Sequence, residues 1–445
     1  MITSAVRTLA TELTGDDLPA YGYDLTALRA HARAVRDALP PGLELYYAAK
    51  ANPAPRILQA LAPHVTGYEV ASGGEVEHVR AAVPGAPLAF GGPGKTEGEL
   101  RRALTLGVER FHVESEQELR LLAGAAKDAG IPAVDVLLRV NLPVAGDELS
   151  GAALAMGGRP SPFGLDPEAV ERCLPLLSAD SGSRLRLRLR GIHAHLASGL
   201  DAPAQVAVAA AITDWAAKLS ERHGLGLTEV NVGGGMGVDY AHPGRRFDWA
   251  AYGQGMADLA LRHPDLTLRI EPGRALTVYC GWYVTEVLDI KHSGGEAFAV
   301  VRGGTHHLRT PATKQHDQPF QVLPMDTGDT GDAGSTGDAG STGDAGNTGD
   351  AGNTGDAGNT GDAGSTRDAG NTWTRPWPRP AVRAEPVTLV GQLCTPKDVL
   401  ASRIPVPELR VGDRVAFAMA GAYAWNISHH DFLMHPRPGF HYLEE

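Results

Sequence analysis

Residues 187–237 read LRLRGIHAHLASGLDAPAQVAVAAAITDWAAKLSERHGLGLTEVNVGGGMG. An apolar run over Leu187–His195 gives way to an amphipathic stretch over Ala202–His223, and then to a second apolar run over Glu229–Val232. That succession predicts one strand–helix–strand unit. Outward from it, further apolar runs lie at Leu43–Ala49, Gly67–Ala71, Pro87–Phe90, Arg110–Val113, Val134–Val140 and Leu266–Ile270. Helical patterns cover Leu25–Leu39, Glu75–Ala82, Glu116–Ala126 and Trp249–His263, with Thr26, Ser72 and Ser115 as helix-start residues. Alternating strands and helices imply a parallel sheet. Eight strands over about 245 residues match a (β/α)8 TIM-type barrel, here over residues 21–272, whereas a doubly wound open sheet needs fewer.

After Ile270 the pattern changes to short β-type runs, Tyr283–Ile290, Ala297–Val301, Val387–Leu393 and Arg414–Ala420, separated by Gly and Pro. They predict a second, mostly antiparallel β domain built from residues 1–20 and 273–445. Within it, GDAGST or GDAGNT repeats seven times between Gly331 and Thr372, the last copy beginning at Arg367. Apart from that Arg, nothing in the repeat is larger than Asn or Asp, so it cannot bury apolar area against its chain entropy. Residues 326–372 are therefore expected to be a disordered insert. A calcium-binding β-roll would carry a large apolar residue in each repeat, and closing a long surface loop costs only a logarithmic term.

The formal charge is −12, of which the nine Asp and one Arg between Asp326 and Thr372 supply −8. The rest carries no basic stripe, so no nucleic-acid partner is expected. No apolar run approaches the roughly 20 residues of a membrane span, and Met1–Ala20 lacks the basic and apolar regions of a signal peptide. Cys173, Cys280 and Cys394 are far apart and contain no CxxC pair. The expectation is a soluble, cytoplasmic protein without a disulfide framework or zinc knuckle.

In such a barrel, functional residues sit at the C-terminal ends of strands. Those ends supply Lys50 in YYAAKANP, Glu69 and Ser72 in GYEVASGGE, Arg139 and Asn141, His193 and His195 in GIHAHLASG, the NVGGGMG loop, and EPGRAL. A strand-end lysine is commonly a solvated charge. Inside an apolar rim, however, desolvation would favour the neutral amine that forms a Schiff base with an aldehyde cofactor. Gly233, Gly234 and Gly235 at a strand-to-helix junction allow backbone N–H groups close to an anion, and Gly273 and Arg274 extend that pocket. Glu271 either pairs with Arg274 or holds a pyridine nitrogen protonated. His193 would stack on such a ring, and His195 would face the same side if the strand continues. Glu69, His193 and His195 lack the spacing of a zinc site, and no metal is expected.

Together, AAKAN around Lys50, GIHAH around His193, NVGGG, EPGR, LCTPKDV around Cys394 and GAY around Tyr423 come in an order that resembles the fold-type III pyridoxal-phosphate decarboxylases. These are the diaminopimelate, ornithine and arginine-type enzymes, with an alanine racemase-like architecture. The resemblance spans nearly the whole chain except the hexapeptide insert. It implies pyridoxal 5'-phosphate as cofactor and a head-to-tail homodimer with shared active sites. By the same resemblance, Lys50 looks like the lysine that carries the cofactor. Gly233–Gly235, Gly273, Arg274 and Tyr423 look like phosphate binders, Glu271 like the pyridinium partner and His193 like the ring-stacking histidine, with Glu69 and Arg139 completing the cofactor set. Cys394 resembles the cysteine that a second subunit lends to protonate the substrate carbon.

Lysine- and polyamine-forming members follow that cysteine with an acidic residue that grips the distal end of the substrate. Here Thr395 follows, and the nearest acid is Asp398. Losing a charge-assisted hydrogen bond costs roughly 1.5–3 kcal/mol, which disfavours diaminopimelate and ornithine. Thr395, Asp398 and His195 become the candidate substrate contacts. GGPGKTEGEL from Gly91, AMGGRPSPFGLD from Ala155, HAHLASGLDA, GGTHHLR from Gly303 and LCTPKDVL are similar to a branch that acts on conjugated amino acids. Its siderophore members, of the vibrioferrin and staphyloferrin B type, act on citrate-linked serine or diaminopropionate. Other members act on an aminoacyl group carried on an acyl carrier protein. The citrate-linked reading ranks first. A racemase would share the cofactor and barrel, whereas a non-catalytic pyridoxal-phosphate carrier would lack the β domain with Cys394 and Tyr423.

Overall fold

A computed structural model describes residues 2–143, 154–155, 157, 160–177, 186–309, 311, 316–325 and 378–444. The repeat at 326–372, expected to be disordered, lies outside the described residues. Eight strands pair in parallel: Glu44–Ala48, Gly67–Val70, Leu88–Phe90, Arg110–Val113, Ala133–Arg139, Arg186–His193, Glu229–Asn231 and Thr267–Ile270 (strands one to eight). The eighth pairs with the first and closes a barrel. Tyr47, Tyr68, Phe90 and Phe111 are fully buried, as strands covered by helices on the outside require.

Among the described residues, eight helices, from Leu25–Ala38 to Trp249–Arg262, ring the barrel. Ser72 and Ser115 cap their helices by accepting the backbone N–H of Glu75 and Glu118, each at 3.1 Å. The first helix is capped not by Thr26 but by Asp24, whose carboxylate accepts Ala27 N–H at 2.7 Å. Helices Pro55–Leu61, Glu97–Thr105 and Pro167–Leu177 add three that the apolar pattern alone does not mark.

Seven strands after strand eight join Ala20–Asp24 in an eight-stranded mixed sheet. Most neighbours are antiparallel, but Ala20–Asp24 runs parallel to Gly439–Leu443, and Glu296–Val301 parallel to Ala381–Val390. The N-terminal contribution thus extends through Asp24, and it carries the helix Ser4–Glu12, whose Val6, Leu9 and Ala10 cluster with Trp282 and Val284.

The barrel's two ends differ in kind. At the N-terminal end, Arg110 pairs with Glu229 at 2.6 Å and Asp135 at 3.2 Å, and Arg269 pairs with Glu44 at 2.5 Å. Those charges are engaged with one another in ion pairs. The opposite end is left for chemistry, and the sheet domain reaches over it. Tyr423 N–H donates to Ala51 O at 2.8 Å, and Asn426 Nδ2 to Lys50 O at 2.7 Å.

Candidate active site

Strand one ends in a 3₁₀ turn, Ala49–Ala51, that presents Lys50. Because Ala48 lies opposite Glu69 in the ladder, the two side chains meet, and Lys50 Nζ donates to Glu69 Oε2 at 2.5 Å. The Glu69 side chain is buried and that of Lys50 is 45% exposed. The expectation of a neutral amine is overturned. Burial does push the ammonium down, but the adjoining Glu69 carboxylate outweighs it and holds Lys50 above the ordinary lysine range.

The two histidines of GIHAH separate. His195 stays near the rim, where its Nδ1 accepts Gly234 N–H at 3.0 Å and its Nε2 lies 3.3 Å from Ser198 Oγ. Burial, then the charges of Lys50 and Arg139, push its imidazole down to about 4, so it is neutral at pH 7. His193 instead lies deep in the barrel. It stacks on His112 at a centroid distance of 4.2 Å, and its Nε2 is 3.3 Å from Glu271 Oε2.

Gly233 and Gly235 have φ of +72° and +100°, values that favour glycine. A Cβ on Gly233 would come within 2.9 Å of Ala194 O, while one on Gly234 or Gly235 would collide with the carbonyl of Glu271 or Ala197. The loop is a cradle of bare backbone. On its far side, Gly273 packs against Ala48 and Ala51. Arg274 donates to Tyr240 Oη at 2.7 Å and lies over the Tyr423 ring at 4.5 Å. Glu271 does not pair with Arg274. Its Oε1 accepts Asn231 Nδ2 at 2.6 Å, and its carboxylate faces His193 and His112.

Arg139, expected from the sequence, is held by Glu114 at 2.7 Å and lies 4.9 Å from the Phe163 ring centroid. Glu114 and several other residues here were not singled out from the sequence. Lys95, fully enclosed, donates to Glu118 at 2.6 Å and to His112 O at 2.8 Å. His112, Glu114 and Asn231 sit at strand ends, the one signal that could have found them. His112, His193 and Glu271 place one potential metal-ligand atom each within 4.8 Å of one another. The trio of Glu69, His193 and His195 forms no such group among the described residues.

Cys394 is exposed. Thr395 accepts the Lys397 N–H at 3.4 Å. Asp398, expected near the substrate, is corrected to a structural role. It is only 2% exposed and accepts Thr305 N–H at 2.6 Å, Thr305 Oγ1 at 2.7 Å and Leu393 N–H at 2.8 Å. Those three bonds turn its carboxylate inward, away from solvent.

A phosphate-sized cradle of glycine backbone beside Arg274, a buried carboxylate, and a lysine at the rim fit pyridoxal phosphate. A model of the pyridoxal-dependent decarboxylase pyridoxal-binding domain matches residues 25–278, and its C-terminal sheet domain matches 357–421. A collagen triple-helix repeat model matches 324–374, where glycine falls at every third position from Gly328 to Gly370 except at Arg367. A Staphylococcus aureus decarboxylase of 2-(L-alanin-3-ylcarbamoyl)methyl-2-hydroxybutanedioate is 36% identical, over 96% of this chain and 94% of that protein. An L-glutamyl–acyl-carrier-protein decarboxylase of Niallia circulans is 28% identical over 95% and 88%. The fold is that of the Helicobacter pylori diaminopimelate decarboxylase complexed with L-lysine, with a TM-score of 0.75, 22% identity and coverage of 99% and 94%. With barrel and sheet both matched and end-to-end likeness to named decarboxylases, this chain belongs to the pyridoxal-dependent amino-acid decarboxylases.

Proposed function

We propose that this enzyme removes the α-carboxylate from an amino-acid unit already joined to a citrate-like acyl group, of the citryl-diaminopropionate or citryl-serine type. The observation that carries this is the 36% identity, end to end, with the relative whose named substrate joins alanine through an amide to hydroxybutanedioate. Thr395 is consistent with it, because Asp398, the nearest acid, is consumed by its own turn. The carrier-linked relative, also similar end to end, supports an aminoacyl group on an acyl carrier protein as the second reading.

Pyridoxal phosphate supplies an aldehyde for covalent capture and a ring that takes up the electron pair released with carbon dioxide. Lys50 is the residue for the covalent link. The cradle of Gly233–Gly235, with Gly273, Arg274 and Tyr423, is assigned the phosphate, and Glu271 the proton on the ring nitrogen. His195, which touches the glycine loop, is better placed than His193 to lie on the ring face. Cys394 of a second subunit delivers the proton that replaces the carboxylate on the α-carbon, which requires a homodimer. A cytoplasmic, siderophore-forming role accompanies this reading.

The test is carbon dioxide release by the reconstituted protein. The panel is citrate-linked diaminopropionate and serine, a carrier-tethered aminoacyl substrate, and free diaminopimelate, ornithine and arginine. Release from the citrate conjugates alone is expected. Release from the tethered substrate alone moves the protein to the second reading, and release from free diaminopimelate overturns both. α-Proton exchange without carbon dioxide would indicate a racemase.

A further inference from the structure

We infer that Asn231 is a positioning residue that ties the glycine loop and Glu271 into one unit, so that the two ends of the cofactor site are set by a single buried amide. The inference rests on the assignment of Glu271 to the ring nitrogen.

Asn231 is the last residue of strand seven and is fully enclosed. In the ladder it lies opposite His193 of strand six and Arg269 of strand eight. Its Oδ1 accepts Gly233 N–H at 2.9 Å and its Nδ2 donates to Glu271 Oε1 at 2.6 Å. The amide's orientation follows from chemistry, since a backbone N–H needs an acceptor and a carboxylate needs a donor. The remaining N–H of Nδ2 points toward His112 Nε2 at 3.5 Å. Each polar atom of the side chain therefore has a partner.

Two consequences follow. Glu271 has one oxygen, Oε1, anchored by Asn231, while Oε2 faces His193 Nε2 at 3.3 Å. The anchored oxygen fixes the plane of the carboxylate and leaves Oε2 as the atom for the ring nitrogen. The same amide also fixes Gly233, the first residue of the loop that forms the phosphate cradle. A ligand spanning both groups thus finds their separation already set, which reduces the ordering that binding must supply.

Aspartate has the shape of Asn231 without its donor, and it would place a second carboxylate against Glu271. Two adjacent buried carboxylates share one proton at low pH and repel once both ionise. The measurement is pyridoxal phosphate affinity, by fluorescence titration of the apo-protein between pH 5.5 and 8, for the wild type, Asn231→Ala, Asn231→Asp and Glu271→Ala. Asn231→Ala is expected to weaken binding about 10- to 100-fold, the worth of a charge-assisted hydrogen bond. Asn231→Asp should weaken it further as pH rises, a trend that a loss of packing alone would not produce. Wild-type affinity in Asn231→Ala, or a loss in Asn231→Asp that equals that of Asn231→Ala at every pH, overturns the inference. Unchanged affinity in Glu271→Ala overturns the assignment of Glu271 itself. If Asn231→Asp does not fold, Asn231→Ala/Glu271→Ala decides. Residues acting as one unit are non-additive, so the double variant should lose clearly less than the product of the two single losses, the remainder being the tie to Gly233, and a fully multiplicative loss overturns the inference.

Discussion

Lys50 Nζ lies 2.5 Å from Glu69 Oε2, across the C-terminal ends of two adjacent barrel strands. The pair keeps the amine protonated, so the proposed covalent capture of the cofactor must first remove that proton. Glu69→Gln preserves the shape and removes the charge, which returns the ammonium toward its ordinary range. The apparent pKa governing pyridoxal phosphate attachment to the apo-protein should therefore fall by at least about one unit. Rates of reconstitution measured from pH 6 to 10 check this. An unshifted profile would mean that Glu69 does not control the amine.

The proposed division of labour between subunits predicts complementation. Lys50→Ala should abolish turnover while leaving the fold intact, and Cys394→Ala should let some product partition to pyridoxamine phosphate. Neither variant alone restores a complete site. In a mixture of the two with free subunit exchange, random pairing leaves about a quarter of the sites with both native residues. Recovery toward that fraction is expected in a carbon dioxide assay. Activity no greater than the sum of the separate variants would place Cys394 outside the partner's site.

How much of this was readable from the chain depends on range. The barrel strands are short apolar runs that alternate with helices, so local pattern located all eight, with Ser72 and Ser115 as caps. Strand Val399–Arg410 escaped because Pro405 and Pro407 disrupt its pattern, although its ladder with Ala381–Val390 tolerates both. His193 and His195 share one face by the alternation rule, but strand six ends at His193 and the chain then departs from it. Depth along the barrel separates the two roles, and periodicity carries no depth. Asp398 looked like a free acid because its partners, Thr305 and Leu393, are brought to it by the sheet. Lys95, Glu114 and Glu118 likewise meet their partners only through the fold.

Buried neutral imidazoles make stability depend on pH. Burial pushes His306 down to about 4, as it does His195, from an ordinary value of 6.5. Between about pH 6.5 and 4 the unfolded chain binds protons that the folded chain refuses, so stability falls as pH falls through that window. His306→Asn removes one such group. The slope of unfolding free energy between pH 4.5 and 6 should shrink by up to about 1.4 kcal/mol per pH unit, the linkage of one proton. Urea midpoints at four pH values suffice, and an identical slope would show that His306 titrates alike in both states.

Asp398 offers the sharpest separation of structure from substrate binding. Its carboxylate ties Thr305, in the segment after strand Glu296–Val301, to Leu393, one residue before Cys394. A charged, enclosed acceptor with three donors cannot be removed cheaply, because each stranded donor costs about 1–3 kcal/mol. Asp398→Ala should therefore destabilise the protein by at least about 3 kcal/mol. Asp398→Asn keeps the shape but turns one acceptor into a donor facing other donors, so it should not rescue. Activity should fall through kcat, as the Cys394 loop loses its anchor, with KM little changed. A residue that gripped the substrate would behave oppositely, raising KM in both variants at unchanged thermal stability. Paired melting curves and steady-state kinetics on the two variants distinguish the cases, and a purely KM effect would return Asp398 to the substrate pocket.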